Sequence, residues 1–479
     1  MGAPASAVIF LGLRDAFNWT SSNLPTFLRS LRPHKSPALG TVLLLLALNL
    51  LNYLDRYILP GAQPLVQKEF HATDQQMGAL TTALFLFYMF AAPASGWLGD
   101  WFRRKPLIIT GAILWSLATL GTAFVHSYWS LYTRRALVGI GEATFGIYAP
   151  AVLADFYPER DRNRILSIFY LAIPVGAALG YLAGGELGSL WGWRGPFLLC
   201  AIPGLIVAAL YGVWGREPER GAKDRPRPVQ KRADSWDALE RIVKRRLRLF
   251  TMGAFLTACG TALITFTFGS VRFGRPRLRI FKNPAFLTST FGLAAITFAL
   301  GGISAWVPTF LHRVNGLSVA DASLVVGAIT VIDGIGGTIT GGWIAHRWQR
   351  TDHRALYLIS FWSVVFTIPF GVLVFFGPHS TTIPALFFAE FFIFVNTGPL
   401  NAAIVNSVPG AVRATAISIN LFCIHAFGDT FSPQIIGAIS DHSTLSIGLG
   451  ATLVSLVIAC WILRYGARFA PPYYEAQVP

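Results

Sequence analysis

Four charged residues stand inside stretches that are otherwise apolar enough to cross a membrane. Asp55 and Arg56 lie in the first stretch, and Arg135 and Glu142 lie in the fourth, seven residues apart and so on one face of a helix. A charge at the centre of a bilayer costs about 2.5–3.5 kcal/mol on insertion scales, so each of these side chains needs a partner. If the first and fourth helices pack together, the four residues form one cluster.

Two interpretations of this cluster remain open at the level of the sequence. A static ion-pair network would pin two helices together without moving a proton. A carboxylate beside an arginine in a low-dielectric medium changes its proton affinity when the arginine moves, which is what a proton site needs. We favour the second interpretation and predict that Asp55, Arg56, Arg135 and Glu142 form a proton-coupling site, which loads a proton from one side of the membrane and releases it to the other.

A second set of polar side chains lies in the apolar stretches of the C-terminal part. His425 and Asp429 are one helical turn apart, and their spacing is one residue too short for an acyltransferase His-x-x-x-x-Asp motif. Such a pair is either a core network or a contact for a substrate headgroup, and the sequence does not separate these two readings. The predicted substrate-binding residues are Asn52, Glu390, Asn396, Thr397, Asn401, His425 and Asp429.

The sequence contains no convincing metal-ligand cluster, nucleophile arrangement or phosphate-binding loop. Its four cysteines stand singly in apolar stretches, which favours packing over a disulfide framework. We therefore expect no catalytic residues, no metal and no cofactor. A membrane-embedded lipid-modifying enzyme remains a distant alternative, as does a sensor that transports nothing.

The elements that hold these residues are predicted from composition. The 479 residues are 53% hydrophobic and only 13% charged, against about 25% charged in an average soluble domain. Twelve apolar segments, each able to cross about 30 Å of hydrocarbon, fall into two groups of six. These groups predict an all-α integral membrane protein with an N-terminal half at 40–214 and a C-terminal half at 286–465.

The net charge of +16 is concentrated outside these two halves. Residues 216–282 contain 17 Lys or Arg and 6 Asp or Glu, and short basic loops follow the second and eighth segments. Basic residues stay on the untranslocated side of a membrane, so we expect both termini in the cytoplasm. The tail at 1–39, the central loop at 215–285 and the tail at 466–479 would then be cytoplasmic. This distribution argues against nucleic-acid binding, because no compact basic domain accompanies the charge.

Residues 250–270, inside the central loop, form a further apolar segment with basic clusters on both sides. A single crossing would carry one of those clusters to the outer side and invert the second half. We therefore favour a re-entrant or interfacial helix here over an extra span.

An internal repeat supports the division into halves. Residues 96–104 (GWLGDWFRR) align with 342–350 (GWIAHRWQR), and both stretches fall at predicted cytoplasmic ends of corresponding helices. Two six-helix repeats in parallel orientation are typical of a family of secondary transporters. Glycines at four-residue spacing, Gly176, Gly180 and Gly184, predict close helix contacts in the fifth span.

These motifs resemble those of the major facilitator superfamily. Residues 96–105 (GWLGDWFRRK) are similar to its loop motif between helices two and three, and 135–143 (RALVGIGEA) to its fourth-helix motif. More narrowly, 52–56 (NYLDR), 141–143 (GEA) and 396–403 (NTGPLNAA) resemble the Spinster branch, whose members move lysolipids or sphingosine-1-phosphate.

The resemblance implies twelve transmembrane helices, alternating access and proton-coupled movement of a lysolipid-like or other amphipathic solute. It also implies that Asp100, Arg103 and Arg104 hold the inward-side gate closed. The alternative in the same class is an efflux transporter for drugs or other organic solutes. We expect a small-molecule substrate, protons and membrane lipids as partners, no nucleic acid, and a monomer in the plasma or inner membrane.

Overall fold

A computed structural model describes residues 39–157, 165–166, 168–219, 281–408 and 413–471. All regular secondary structure in these residues is helical. The N-terminal tail, most of the central loop with its apolar segment 250–270, and the end of the C-terminal tail lie outside the described residues. The expectations for those regions therefore stay predictions.

Twelve long helices, numbered here in chain order, can be traced through the described ranges. Their bounds are Leu39–Phe70 (α1), Asp74–Trp101 (α2), Arg104–Thr122 (α3), Tyr128–Phe156 (α4), Ile168–Trp191 (α5), Gly195–Trp214 (α6), Pro284–Arg313 (α7), Val319–Trp348 (α8), Ala355–Phe376 (α9), His379–Asn406 (α10), a two-part α11 of Arg413–Ile424 and Ser432–His442, and Leu445–Gly466 (α12). Ten of these, all but α2 and α11, are long and apolar enough to cross a membrane by length and composition alone. The described residues thus confirm the predicted all-α membrane fold.

Side-chain caps fix where several helices begin. Thr73 and Gln76 form a capping box at the start of α2, and Asn283 accepts hydrogen bonds from two backbone amides at the start of α7. Ser318 and Thr444 cap α8 and α12 in the same way. Each cap satisfies backbone donors that the helix itself leaves open, so these short loops end one helix and start the next at defined residues.

The predicted glycine contacts of the fifth span are present, and they face α1. A Cβ atom added at Gly180 would lie 2.5 Å from the Leu54 carbonyl oxygen, and one at Gly184 would lie 2.2 Å from the Ile58 carbonyl oxygen. Only a residue without a Cβ lets the two backbones approach this closely. The same helix carries a π-helical turn at Ala183–Leu187, and the corresponding helix α11 carries one at His425–Asp429.

The two six-helix groups meet mainly toward one end of the bundle. We call this end, where α1 passes into α2, the Asp74 end, and the opposite end, where α2 passes into α3, the Arg104 end. One buried apolar cluster joins both groups, with Ile58 and Tyr181 from the first packed with Trp306 and Ile436 from the second. Tyr181 also donates a hydrogen bond of 2.7 Å to the Ser304 carbonyl oxygen across this contact.

Candidate functional site

An ion pair at the centre of the first group joins α1 to α4. Arg56 donates to the Oε2 atom of Glu142 from Nη2 at 2.6 Å and from Nε at 3.1 Å. Glu142 is 1% exposed, so its carboxylate has no contact with bulk water. In a low-dielectric interior this attraction is strong, and removing either partner leaves an uncompensated charge.

The structure brings the other two charged residues of the predicted cluster next to this pair. Thr119 of α3 donates a hydrogen bond of 2.5 Å to Oδ2 of Asp55, whose second oxygen has no partner among the described residues. Arg135 is 1% exposed, and within the described residues it makes one long hydrogen bond of 3.5 Å to the Arg56 carbonyl oxygen and leaves two nitrogens without a partner. These four residues, which we call the Arg56 cluster, hold two positive and two negative side chains.

Three aromatic rings surround the guanidinium group of Arg56. Its central carbon lies 5.1 Å from the ring centre of Tyr53, 5.3 Å from that of Phe85 and 5.5 Å from that of Tyr88. Arginine is attracted to aromatic faces by about 0.5–2 kcal/mol per contact, more where water is excluded. The rings therefore provide a place for the guanidinium group that does not depend wholly on Glu142.

Two of the same rings reach the second six-helix group. The imidazole of His425 stacks on Phe85 at 6.0 Å and meets the edge of Tyr88 at 5.5 Å between ring centres. His425 Nδ1 lies 2.8 Å from Oδ1 of Asp429, so the His–Asp pair predicted from spacing is formed. A continuous chain of contacts thus runs from Glu142 through Arg56 and two rings to the polar pair on α11.

The π-helical turn in α11 positions that pair. His425 and Asp429 are its first and last residues, and Gly428 within it has non-helical dihedral angles. A Cβ atom at Gly428 would lie 2.9 Å from the Ala294 carbonyl oxygen on α7, so glycine lets the irregular turn pack against that helix. Single π-turns inside α-helices occur frequently at functional sites.

The predicted polar residues of α10 differ in their burial and in their hydrogen-bond partners. Asn396 donates to the Ile393 carbonyl oxygen at a break in the helix, and the exposed Asn401 donates to the Thr397 carbonyl oxygen at 2.8 Å. Glu390 is 6% exposed and lines a small cavity within the second group. On α1, Asn52 is 4% exposed, and no described residue accepts a hydrogen bond from its amide nitrogen.

The predicted gate residues at the Arg104 end make ion pairs within the first group. Arg104 Nη1 lies 2.5 Å from Oδ2 of Asp155 at the end of α4. Arg103, which is largely exposed, lies 3.2 Å from Glu217, whose other oxygen accepts the Arg104 backbone N–H. The side chain of Asp100 lies outside the described residues, so its predicted gating contact stays a prediction.

A polar cluster at the Asp74 end joins the two groups. Arg313 at the end of α7 donates to both oxygens of Asp74 at 2.8 and 2.9 Å and also to Gln67. Ser440 of α11 donates to Asp74 at 2.6 Å, and Asp441 accepts from two backbone amides at the start of α2. We call Gln67, Asp74, Arg313, Ser440 and Asp441 the Asp74 cluster.

Several of these partners were not identified from the sequence. Phe85 and Tyr88 are three residues apart on α2, and Tyr53 lies inside the same motif as Arg56, so helical spacing was the available signal. The pairing of Asp74 with Arg313 joins residues far apart in sequence, and nothing local indicates it. In the described part of the chain, no group of three or more His, Cys, Asp or Glu side chains is arranged to hold a metal ion.

A family model described as Major Facilitator Superfamily matches residues 45–433. Protein spinster homolog 1 of Xenopus laevis is 32% identical over 418 residues, which cover 84% of this chain and 72% of that protein. The chain belongs to the Spinster family of the major facilitator superfamily. The family prediction from the sequence motifs is therefore confirmed, and so is the prediction of a multi-pass membrane transporter rather than an enzyme.

Further Spinster relatives and solved structures agree with this assignment. The sphingosine-1-phosphate transporter SPNS2 of Danio rerio is 30% identical over 412 residues, which cover 82% of this chain and 74% of that protein. A bacterial homologue of the human lysosomal transporter Spinster, solved in an inward-facing and unoccupied conformation, has a TM-score of 0.75 at 21% identity. It covers 93% of this chain and 100% of its own, which confirms the major facilitator fold.

Proposed function

We propose that this Spinster-family chain moves an amphipathic solute with an anionic headgroup, such as a lysolipid, by proton-coupled alternating access. The observation that carries the proposal is the Arg56–Glu142 ion pair inside its ring of aromatic side chains. When Glu142 is ionised, its carboxylate forms the ion pair with the guanidinium group of Arg56. When Glu142 takes up a proton, the guanidinium group becomes available to a phosphate or carboxylate of the substrate.

Asp55 and Arg135 would share the charge balance during this exchange. With all four side chains ionised, the Arg56 cluster is neutral. Protonation of Glu142 or Asp55 leaves one excess positive charge, and an anionic headgroup restores neutrality. Because an unbalanced charge is costly in the membrane interior, proton uptake and anion binding favour each other.

The contacts of Phe85 and Tyr88 with His425 indicate where a substrate bound at Arg56 would meet the second half. A headgroup at Arg56 displaces or shifts Phe85 and Tyr88, and these rings also contact His425. Asn52, His425 and Asp429 are our strongest substrate-contact candidates, because they lie beside or across from Arg56. Glu390, Asn396, Thr397 and Asn401 remain candidates on α10, the last three near its break at Asn396.

Alternating access would use the contacts at the two ends. The Asp74 cluster would hold the two halves together at the Asp74 end. This state of the alternating-access cycle is the one in which the Arg104 end is open. Asp100, Arg103 and Arg104 would stabilise the opposite state. The basic loops favour a cytoplasmic location for the Arg104 end and for both termini, in the plasma or inner membrane, with a monomer as the working unit.

Transport in proteoliposomes tests this proposal. Purified protein is reconstituted, a pH gradient is imposed, and uptake of radiolabelled sphingosine-1-phosphate or lysophosphatidylglycerol is compared with uptake of lysophosphatidylcholine, whose headgroup has no net charge. Gradient-driven uptake of the anionic lysolipids supports the proposal. Gradient-driven transport of ethidium, a drug-like cation, without lysolipid uptake would favour the alternative of multidrug efflux. Conversion of the lysolipid to a new product without translocation would favour a lipid-modifying enzyme.

A further inference from the structure

The second six-helix group contains two buried carboxylic acids that the proposed mechanism does not use for protons. Asp333 on α8 is 0% exposed, and neither of its carboxyl oxygens has a hydrogen-bond partner in the part of the chain that the structure describes. Glu390 on α10 is 6% exposed and accepts one hydrogen bond, from Thr330 at 3.3 Å. Buried polar atoms are nearly always hydrogen-bonded, so two orphaned oxygens on one buried acid need an explanation.

The two acids lie on neighbouring helices, and Thr330, one turn before Asp333 on α8, donates to Glu390. Among the described residues, neither carboxyl group forms an ion pair or hydrogen bond with Lys, Arg or His. The other titratable groups that face Glu390 are Tyr57 from α1 and Tyr181 from α5. Both are phenols, which supply no positive charge. This environment differs from that of the Arg56 cluster, where two guanidinium groups offset two carboxylates.

A small cavity lies against Glu390. It has a volume of about 20 Å³ and is lined by residues of α7, α9, α10 and α12. The hydroxyl groups of Thr367 and Thr452 also line it, but each already donates to a carbonyl oxygen of its own helix. The accessible surface of this cavity is apolar, and a buried water needs polar partners, so the cavity offers nothing that would offset a charge on Glu390.

Two ionised carboxylates without a cationic partner are unfavourable in such a place. Burial penalises each charge by several kcal/mol, and the like charges repel each other in a low-dielectric medium. A proton on one acid removes the repulsion and one of the two burial penalties. We propose that Asp333 and Glu390 form a second protonatable site, in the C-terminal half, which holds at least one proton at neutral pH.

Infrared spectroscopy of the full chain in detergent tests this inference without any transport substrate. Protonated carboxylic acids have a C=O stretching band that is absent from carboxylates and amides. At pH 7 we expect the double variant Asp333→Asn/Glu390→Gln to lose a component of this band that the wild type shows, while either single variant leaves one buried acid that can carry the proton. Thr367→Val, which alters the same cavity without removing an acid, should keep it. An unchanged band in the double variant would overturn the inference.

Thermal unfolding provides the second readout. Because the amides imitate the protonated acids, Glu390→Gln should match the wild type at pH 6 and exceed its melting temperature at pH 9, where the wild-type pair is forced to ionise. A wild-type melting temperature that rises with NaCl but not with choline chloride, and no longer does so in Glu390→Gln, would identify a sodium site and overturn the proton assignment. Both readouts are independent of the proposed substrate, so they can fail or succeed without it.

Discussion

At the scale of single residues, the arrangement around Arg56 explains why a costly set of charges is kept inside the membrane. Arg56 has two kinds of partner, the carboxylate of Glu142 and the faces of three aromatic rings. One proton removes the negative charge of the carboxylate, whereas the attraction of the rings for Arg56 does not depend on a proton. A group held in this way is ready to change partners without leaving its place, which is what a coupled binding site requires.

The first prediction concerns Glu142→Gln. The amide imitates the protonated acid at every pH, so Arg56 is permanently released from the ion pair. We expect lysolipid uptake to lose its dependence on pH while binding of the lysolipid stays measurable. The matched control is Glu186→Gln, which neutralises an exposed carboxylate at the end of α5 and should leave the pH profile unchanged. A normal pH profile in Glu142→Gln would remove Glu142 from the coupling mechanism.

The second prediction concerns Arg56→Lys. Lysine keeps the positive charge but lacks the planar fork of donors and the flat face that stacks on rings. Loss of one charge-assisted hydrogen bond costs about 1.5 kcal/mol or more, and about 1.4 kcal/mol corresponds to tenfold in affinity. We therefore expect equilibrium binding of an anionic lysolipid to weaken about tenfold, with little change for lysophosphatidylcholine. Equal weakening for both lipids would indicate a general packing defect.

At the scale of helices, two irregular turns and one line of glycines set the geometry. The glycine spacing on α5 predicted close contact, and the structure adds that α1, the helix carrying Asp55 and Arg56, is the partner. The sequence could not indicate the π-turns, because a one-residue widening of a helix leaves the apolar pattern almost unchanged. For the same reason the His425–Asp429 spacing was recognised, but not the turn that directs the pair toward Phe85 and Tyr88.

The third prediction tests the α1–α5 contact. In Gly184→Ala the new methyl group would meet the Ile58 carbonyl oxygen at 2.2 Å and the Ala62 backbone nitrogen at 2.9 Å, so the helices must separate. Overpacking of this kind costs about 1–3 kcal/mol, and we expect a lower apparent melting temperature in detergent. Gly342→Ala, where nothing lies within 4 Å of the added atom, is the control and should not destabilise the protein. Equal melting temperatures for both variants would contradict the contact.

At the scale of the whole molecule, the sequence predicted the helical fold, but it did not predict which end of the bundle is closed. Hydropathy, basic loops and the 96–104 and 342–350 repeat were enough for two six-helix halves, because each signal is local and repeated. The Asp74 cluster escaped prediction because its partners come from α1, α2, α7 and α11 and meet only when the halves dock. Which end of a transporter is closed depends on such contacts between halves.

The fourth prediction tests that closed end. Asp74→Asn weakens the charge-assisted bonds from Arg313, so the halves should separate more readily. A reporter cysteine at Ser304, on α7 beside Tyr181, should then react faster with a membrane-impermeant maleimide added from the Asp74 side. Arg194→Gln is the control, because it breaks a 2.7 Å ion pair with Glu69 at the same end but within one half. Unchanged labelling in Asp74→Asn would reject a role for the cluster in holding that end closed.

The central claim is that substrate movement and proton movement share the Arg56 cluster. The most direct measurement is the internal pH of proteoliposomes after sphingosine-1-phosphate is added to one side, with no imposed gradient. The account predicts a substrate-dependent pH change with the wild type and none with Glu142→Gln. Substrate accumulation by the wild type at constant internal pH would contradict it.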